Sequence, residues 1–380
     1  MKKKIFWCSN CLNMSTRPRI SFDKRGWCNA CQWMEQKKKI DWVSRESLLK
    51  DLLNKHKSKK GGFDCLVPVS GGKDGSYVAY QLKHKYKMNP LTITIRPALE
   101  LEIGSKNLIN FINSGYNHLH VSCNPFVLDR LNKYGFIYKG FPYYGWLIAI
   151  TTAVIRTAVN FKIPLIFYGE SGEVEYGGST ETGNKALYDI EYIKRVLLED
   201  GHEKVFEQIK SDKDITDSDL TLFQYPSEKE ISEIGLSLAH WSYFEPWDSY
   251  RNYIVAKEKC GLVEKDDGNF DTFTNFSQND QALYALHAYL MYLKFGFGRG
   301  TQDAGIEIRR GSMTRDQAIN LVKIYDNAYP HDLIDKYLNY YQMSKKEFDE
   351  VLDKYANKDL FEKKNGIWEP KFNLGEEYFV

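Results

Sequence analysis

Apolar residues run almost unbroken through 63–69 (FDCLVPV), 91–95 (LTITI), 118–122 (HLHVS) and 164–169 (PLIFYG), with longer stretches of mixed polarity between them. Short, near-continuous apolar runs predict strands buried on both faces. The intervening segments carry helical spacing. Residues 76–87 are amphipathic, and GWLIAITTAVIRTAVNF at 145–161 is apolar all round, which predicts a buried helix. Strands alternating with helices predict an α/β fold, a doubly wound parallel sheet whose ligands lie beyond the carboxyl ends of the strands. The pattern breaks at 190–235, a polar and charged stretch that reads as a surface insertion or lid, with Ser227 and Glu230 spaced as a capping box. Residues 265–380 are mainly helical and rich in aromatic side chains.

The first strand runs directly into SGGKDGS at 70–76, on the ligand edge of the predicted sheet. One reading is a strand-to-helix turn, with Ser76 capping a helix that begins near Tyr77. The other is an anion site, in which glycines let successive N–H groups converge and a helix N-terminus adds its dipole. By residue type, Ser70, Gly71, Gly72, Gly75 and Ser76 would supply donors, Lys73 a point charge and Asp74 a carboxylate for a metal. A Walker loop is disfavoured, because Val67 stands where its first glycine belongs and Asp74 where it needs Ser or Thr.

Four of the seven cysteines form two knuckles, Cys8-x-x-Cys11 and Cys28-x-x-Cys31. Two such knuckles complete a closed tetrahedron around a soft divalent ion, and this spacing predicts a structural zinc site that stays out of the chemistry. The metal supplies folding energy that so small a ribbon lacks. Of the others, Cys65 is mid-strand, Cys260 lies in a helix, and Cys123 falls at the ligand end of a strand, with a role left open.

Composition narrows the class. The chain has 380 residues, 43% of them hydrophobic, enough for two or three domains. Lys and Arg number 52 against 50 Asp and Glu, so no basic field exists to attract nucleic acid, and none is expected as a partner. No run of about 18 apolar residues is present, so no membrane span is expected. The basic start MKKK is followed by too short an apolar segment for a signal peptide, and a cytoplasmic protein with reduced thiols is expected.

SGGKDGS after the first strand resembles the pyrophosphate loop of the PP-loop superfamily of N-type ATP pyrophosphatases, the adenine nucleotide alpha hydrolase-like fold. Its usual pattern is SGGxDS, from which Gly75 is a small departure. SYFEPWDSYRNYIVAKEKCGL at 242–262 resembles the last strand and helix of that core. A narrower resemblance covers almost the whole chain. The double knuckle, the loop, FYGESGEVEYGG at 167–178 and KFGFGRGTQDAGIEIRRGSMTRDQAINLVKIYD at 294–326 are together similar to the N-acetyl sugar amidotransferase family, which includes the pseudaminic acid amidotransferases of bacterial surface-glycan synthesis.

That resemblance implies an ATP-dependent amidotransferase using Mg²⁺. It turns a sugar acetamido group, on a nonulosonic acid either free or nucleotide-linked, into an acetamidino group with release of AMP and pyrophosphate. It implies catalytic roles for Lys73, Asp74 and Glu170, and adenine near Thr94 and Arg96. It also implies a separate ammonia-supplying glutaminase subunit, with a cyclase-like companion as a further partner. Glu173 and Glu175 share the segment of Glu170, although acidic residues also favour a helix start. Arg299 and Arg309 are taken as contacts to an anionic substrate, whereas Arg315 in TRDQ fits a capping box. The expected organisation is a zinc-binding module at 1–45, a PP-loop domain at 46–264 and a helical substrate or partner region at 265–380. The rivals are a PP-loop tRNA thiolation enzyme, with Cys123 as its lone candidate thiol, and a non-catalytic zinc-ribbon binding module.

Overall fold

A computed structural model describes residues 3–199, 202–212 and 214–380. At its centre lie five strands, β1 (Cys65–Pro68), β2 (Pro90–Ile95), β3 (His118–Val121), β4 (Leu165–Tyr168) and β5 (Ser237–His240), all parallel in the order β3-β2-β1-β4-β5. The doubly wound sheet of the sequence is thus present. Its order reverses between β1 and β4, which opens a crevice at the carboxyl end of β1, the strand that runs into SGGKDGS.

Side chains alternate across the sheet as a pleated strand requires. Leu66 and Ile166 face one core with helices α3 (Pro125–Lys139) and α4 (Tyr144–Phe161), while Cys65, Val67 and Phe167 face another that includes Tyr77, Val78 and Phe111. This second face is covered by α1 (Lys73–Tyr80), α2 (Glu102–Asn113) and α5 (Ser249–Cys260). The helix Trp42–His56 runs across the expected boundary at 45, and its Leu49 and Leu53 belong to this core.

Three expectations are corrected. The first helix begins at Lys73 behind Gly72 as its cap, not near Tyr77 behind Ser76, because the turn is already completed by Gly71 at φ +79°. The final strand is Ser237–His240, upstream of 242–262, whose start coils into a short 3₁₀ turn at Trp241–Tyr243. The segment 190–235 is not a lid: Ile193, Val196, Val205, Ile209, Leu220 and Phe223 are buried, most of them in the core of α3 and α4. Thr152 Oγ1 of α4 donates to Leu222 O at 2.7 Å, so this stretch covers the outer side of that apolar helix. Both capping boxes, Ser227 with Glu230 and Thr314 with Gln317, are present.

The C-terminal part has its own core, built from helix α6 (Leu283–Phe295), residues 334–361 and the N-terminal Ile5 and Trp7. Helices α7 (Arg299–Arg309) and α8 (Arg315–Tyr325) extend from it towards the sheet domain.

His240, at the end of β5, is stacked on Tyr188 at 4.2 Å and is 8% exposed; burial pushes its pKa down to about 3. The folded value lies below the unfolded one near 6.5, so the stability of the neutral form is lost as pH falls from about 6.5 towards 3. Wild type should therefore lose stability relative to His240→Gln by up to about 1.4 kcal/mol per pH unit across that window. Denaturant titrations of both proteins at pH 7, 5 and 4 would check this, and a constant difference would refute it.

Candidate functional site

Ser70–Ser76 leaves β1 in a turn that only glycine allows at two places. A Cβ on Gly71 would lie 2.4 Å from Leu108 N of α2, and one on Gly75 would lie 2.6 Å from Pro68 O. The loop therefore packs flush against the sheet and α2, with Ser70, Gly72, Lys73, Asp74 and Gly75 lining a cavity of about 280 Å³. Ser76 is fully buried beneath the cavity, its hydroxyl without a partner.

Lys73 and Asp74 form a largely buried ion pair, and Asn252 Nδ2 of α5 donates to Asp74 Oδ1 at 3.1 Å. Glu170 enters the same cavity from the end of β4, and its Oε1 accepts from Tyr176 Oη at 3.1 Å. Burial first, and then the charge of Asp74, raise the Glu170 pKa above the usual carboxylate range. Burial opposes the Lys73 charge, yet Asp74 and Glu170 outweigh it and hold its pKa above the ordinary value. Two carboxylates and one lysine thus share one pocket, an arrangement that a polyphosphate and a divalent cation would complete.

The far wall comes from the C-terminal part. Gln278, Asn279, Asp280 and Tyr284 face the loop, and Arg299 reaches in from the first turn of α7. The chain crosses so close to α2 that a Cβ on Gly104 would lie 2.5 Å from Asp280 Cα. Backbone bonds from Leu101 N to Asp280 O (3.0 Å) and from Ala282 N to Leu99 O (2.8 Å) fasten it there. Burial pushes Asp280 up to about 6. Arg299 donates to Asp303 at 2.8 Å, Thr272 Oγ1 holds the other carboxylate oxygen at 2.7 Å, and the guanidinium lies 5.7 Å from the Tyr176 ring centre.

A second cavity of about 180 Å³ opens on the other side of Ser70, between β2 and α4, with Ile93, Ile95, Trp146 and Tyr168 as apolar walls. Thr94 lines it and spends its hydroxyl on Val69 O, steadying the start of the loop. Arg96 points outward, 56% exposed, and pairs with Glu100 at 2.9 Å.

The four cysteines converge in a buried cluster. Cys8 and Cys31 Sγ are 3.7 Å apart, Cys11 and Cys28 Sγ 3.6 Å, and all four lie within 4.8 Å of one another. A tetrahedron with metal–sulfur bonds of about 2.3 Å has edges of about 3.8 Å, so the set fits one ion. A four-iron cluster places iron and sulfide between its thiolates and needs them farther apart. N–H groups of Cys28 and Asn13 and the amides of Asn10 and Asn13 point at the sulfurs at 3.2 to 3.4 Å, the donors that steady metal-bound thiolates. Arg309 is not in the cavity of Lys73 and Asp74. It is half-buried beside the cluster, where the thiolates of Cys11, Cys31 and Cys28 offset the penalty of burying its charge, and its Nη2 donates to Glu175 O at 3.3 Å.

Glu173 and Glu175 also face the cysteine module, Glu173 paired with Arg19 at 2.8 Å and Glu175 with Lys37 at 2.5 Å. Cys123 is 2% exposed, with its thiol pushed up to about 11 by burial.

The fold and this loop define a class, a parallel α/β protein with a glycine-rich loop at the carboxyl end of β1, a four-cysteine module and a helical C-terminal part that closes the pocket. Residues 270–374 match the family described as the C-terminal domain of WbpG-like lipopolysaccharide biosynthesis proteins. A 104-residue stretch is 27% identical to the uncharacterized protein MJ1599 of Methanocaldococcus jannaschii; it spans 27% of this chain and only 37% of that protein. Among solved structures, the U34-tRNA thiolase NcsA from Methanococcus maripaludis with its [4Fe-4S] cluster aligns over 59% of this chain and 82% of its own, at 14% identity and a TM-score of 0.26. No helix among the described residues is long and apolar enough to cross a membrane.

Asn252, Gln278, Asn279, Asp280, Tyr284 and Tyr176 went unmarked in the sequence. For Tyr176 a signal existed, since it lies in the same glycine-flanked run as Glu170.

Proposed function

We propose that the chain is an AMP-forming, ATP-dependent amidotransferase acting on an N-acetylated sugar in bacterial surface-glycan synthesis. One observation carries this reading: the stretch matched by the lipopolysaccharide-biosynthesis family supplies the wall that faces Lys73, Asp74 and Glu170 across a single cavity. A loop resembling a pyrophosphate loop thereby meets the stretch that matches a lipopolysaccharide-biosynthesis family.

The acetamido oxygen attacks the α-phosphorus of ATP, and the bond to pyrophosphate breaks. Ammonia then adds at the activated carbon, AMP departs carrying the former amide oxygen, and an amidinium remains. Lys73 and the N–H groups of Ser70, Gly72 and Gly75 balance the charge that develops on pyrophosphate. The flat apolar cavity beside Thr94 and Ser70 takes the adenine. Asp74 and Glu170 would hold Mg²⁺, which neutralises phosphate charge when bound. Arg299 faces the substrate's carboxylate or phosphate, with Asp303 fixing its fork. The cysteines hold zinc, and Arg309 offsets the charge of the tetrathiolate rather than meeting substrate. Ammonia comes from a separate glutaminase, the most direct partner to seek by co-purification, with a cyclase-like companion as the next.

Sulfur transfer to tRNA is the weaker reading, because the Cys123 thiol is buried and pushed towards its unreactive neutral form. The test uses candidate N-acetyl sugars labelled with ¹⁸O in the acetamido carbonyl, with ATP and ammonium. The label should appear in AMP, one AMP and one pyrophosphate should form per amidine, and the neutral product should be about three mass units lighter than the labelled sugar as ¹⁸O is replaced by NH. Label kept in the sugar, or ADP in place of AMP, would overturn the mechanism.

A further inference from the structure

The cysteine module reaches the phosphate pocket through one side chain. Asn13 is 2% exposed, and its Nδ2 lies 3.4 Å from Cys28 Sγ and 3.0 Å from the carbonyl oxygen of Tyr176, one N–H for each. A metal-bound thiolate accepts hydrogen bonds only, so the NH₂ edge of the amide must face it. The backbone of Asn13 is held on both sides, its N–H by Cys11 Sγ at 3.4 Å and its carbonyl by Cys8 N at 2.8 Å. Across the contact, Gly177 adopts φ +94°, and a Cβ there would lie 2.8 Å from Asn13 Nδ2. The close approach therefore needs glycine on the facing strand of chain. Arg19, Asn29 and Lys37 also tie the module to residues 173–178, but among the described residues Asn13 alone bonds both a cluster sulfur and the residue whose hydroxyl holds Glu170.

We infer that Asn13 is a positioning residue: the Cys28 thiolate orients its amide, the amide fixes the backbone of Tyr176, and the Tyr176 hydroxyl thereby holds Glu170 in the phosphate pocket. The link stands on these contacts alone, while its catalytic consequence rests on the proposed ATP chemistry. Coupling of this kind is reciprocal. A module that steadies Tyr176 must itself lose its metal more readily when Tyr176 lets go of Glu170.

The full chain is loaded with Co²⁺, the thiolate–cobalt absorption is recorded, and release of the ion to excess chelator is timed without nucleotide. Tyr176→Phe leaves every contact of the cysteine loops in place, yet should release cobalt about fivefold faster than wild type, the scale of one lost hydrogen bond. Tyr116→Phe, which removes a buried hydroxyl that has no partner, should not. Asn13→Ala, loaded to the same stoichiometry, should form AMP at least about tenfold more slowly at saturating ATP with its KM for ATP changed less than its turnover, since it reaches the nucleotide only through Glu170 and the Mg²⁺ that Glu170 would hold. Equal cobalt release from wild type and Tyr176→Phe overturns the inference, as does wild-type turnover in metal-loaded Asn13→Ala. If Asn13→Ala fails to fold, Tyr176→Phe still decides. If wild type makes no AMP, the ATP reading falls, and the cobalt measurement still judges the link.

Discussion

Lys73→Ala and Asp74→Ala should each slow AMP formation by about 10² to 10³-fold, the usual cost of removing a preorganised charge from a site where charge develops. Lys73 is 11% exposed, and it is kept charged by Asp74 and Glu170 despite its burial. Its removal takes away the cation paired with Asp74 and close to Glu170, so Glu170 should protonate still more readily. Removing one member of a buried pair also destabilises the fold, because the other is left uncompensated. The double variant Lys73→Met, Asp74→Asn removes both members of the pair together and separates the two effects: it should melt nearer wild type than either single variant and be as inactive as either. Pre-steady-state AMP formation within about fivefold of wild type in any of the three would mean that the loop is only a turn.

Gly71→Ala should be nearly as damaging, and Gly72→Ala mild, although the two glycines are adjacent. At Gly71 the backbone is left-handed, and a methyl group would overlap the main chain of α2 at 2.4 Å from Leu108 N. Neither the helix nor the strand behind it can move away, since α2 is also pinned by the crossing at Gly104. At Gly72 a methyl group meets only Ser70 Oγ, at 3.3 Å, and that side chain can rotate. A loss of roughly 2 to 4 kcal/mol in unfolding free energy is expected for Gly71→Ala, against under about 1 kcal/mol for Gly72→Ala. Denaturant unfolding of the pair measures both, and similar losses would show that the loop is not clamped as described.

Much of this was legible in the sequence where a local rule applied. The strands are apolar runs because both of their faces are covered, the double knuckle converges because its spacing forces it to, and the loop falls at the edge where β1 ends. What escaped depended on distant contacts. Asn252 meets Asp74 across 178 residues, and Asp280 meets Gly104 across 176, with nothing periodic in either neighbourhood to announce it. The segment 190–235 misled because its average polarity hides the spaced Ile193, Val205, Leu220 and Phe223 that pack on α3 and α4. Glu170, Glu173 and Glu175 looked alike in the sequence. The short helical turn Gly172–Tyr176 separates them, leaving Glu170 in the pocket and turning the other two onto Arg19 and Lys37.

The wall that closes the pocket is made late. Asp280 and Arg299 leave the ribosome more than 200 residues after Gly71, a delay of roughly 10 to 40 s at ordinary synthesis rates of about 5 to 20 residues per second. During that interval the loop and then the sheet, complete only at His240, can form while the site facing them does not exist. A nascent chain can thus form its glycine-rich loop before the pocket facing it exists, and that pocket closes when Leu99–Leu101 receives the strand of chain at 280–282.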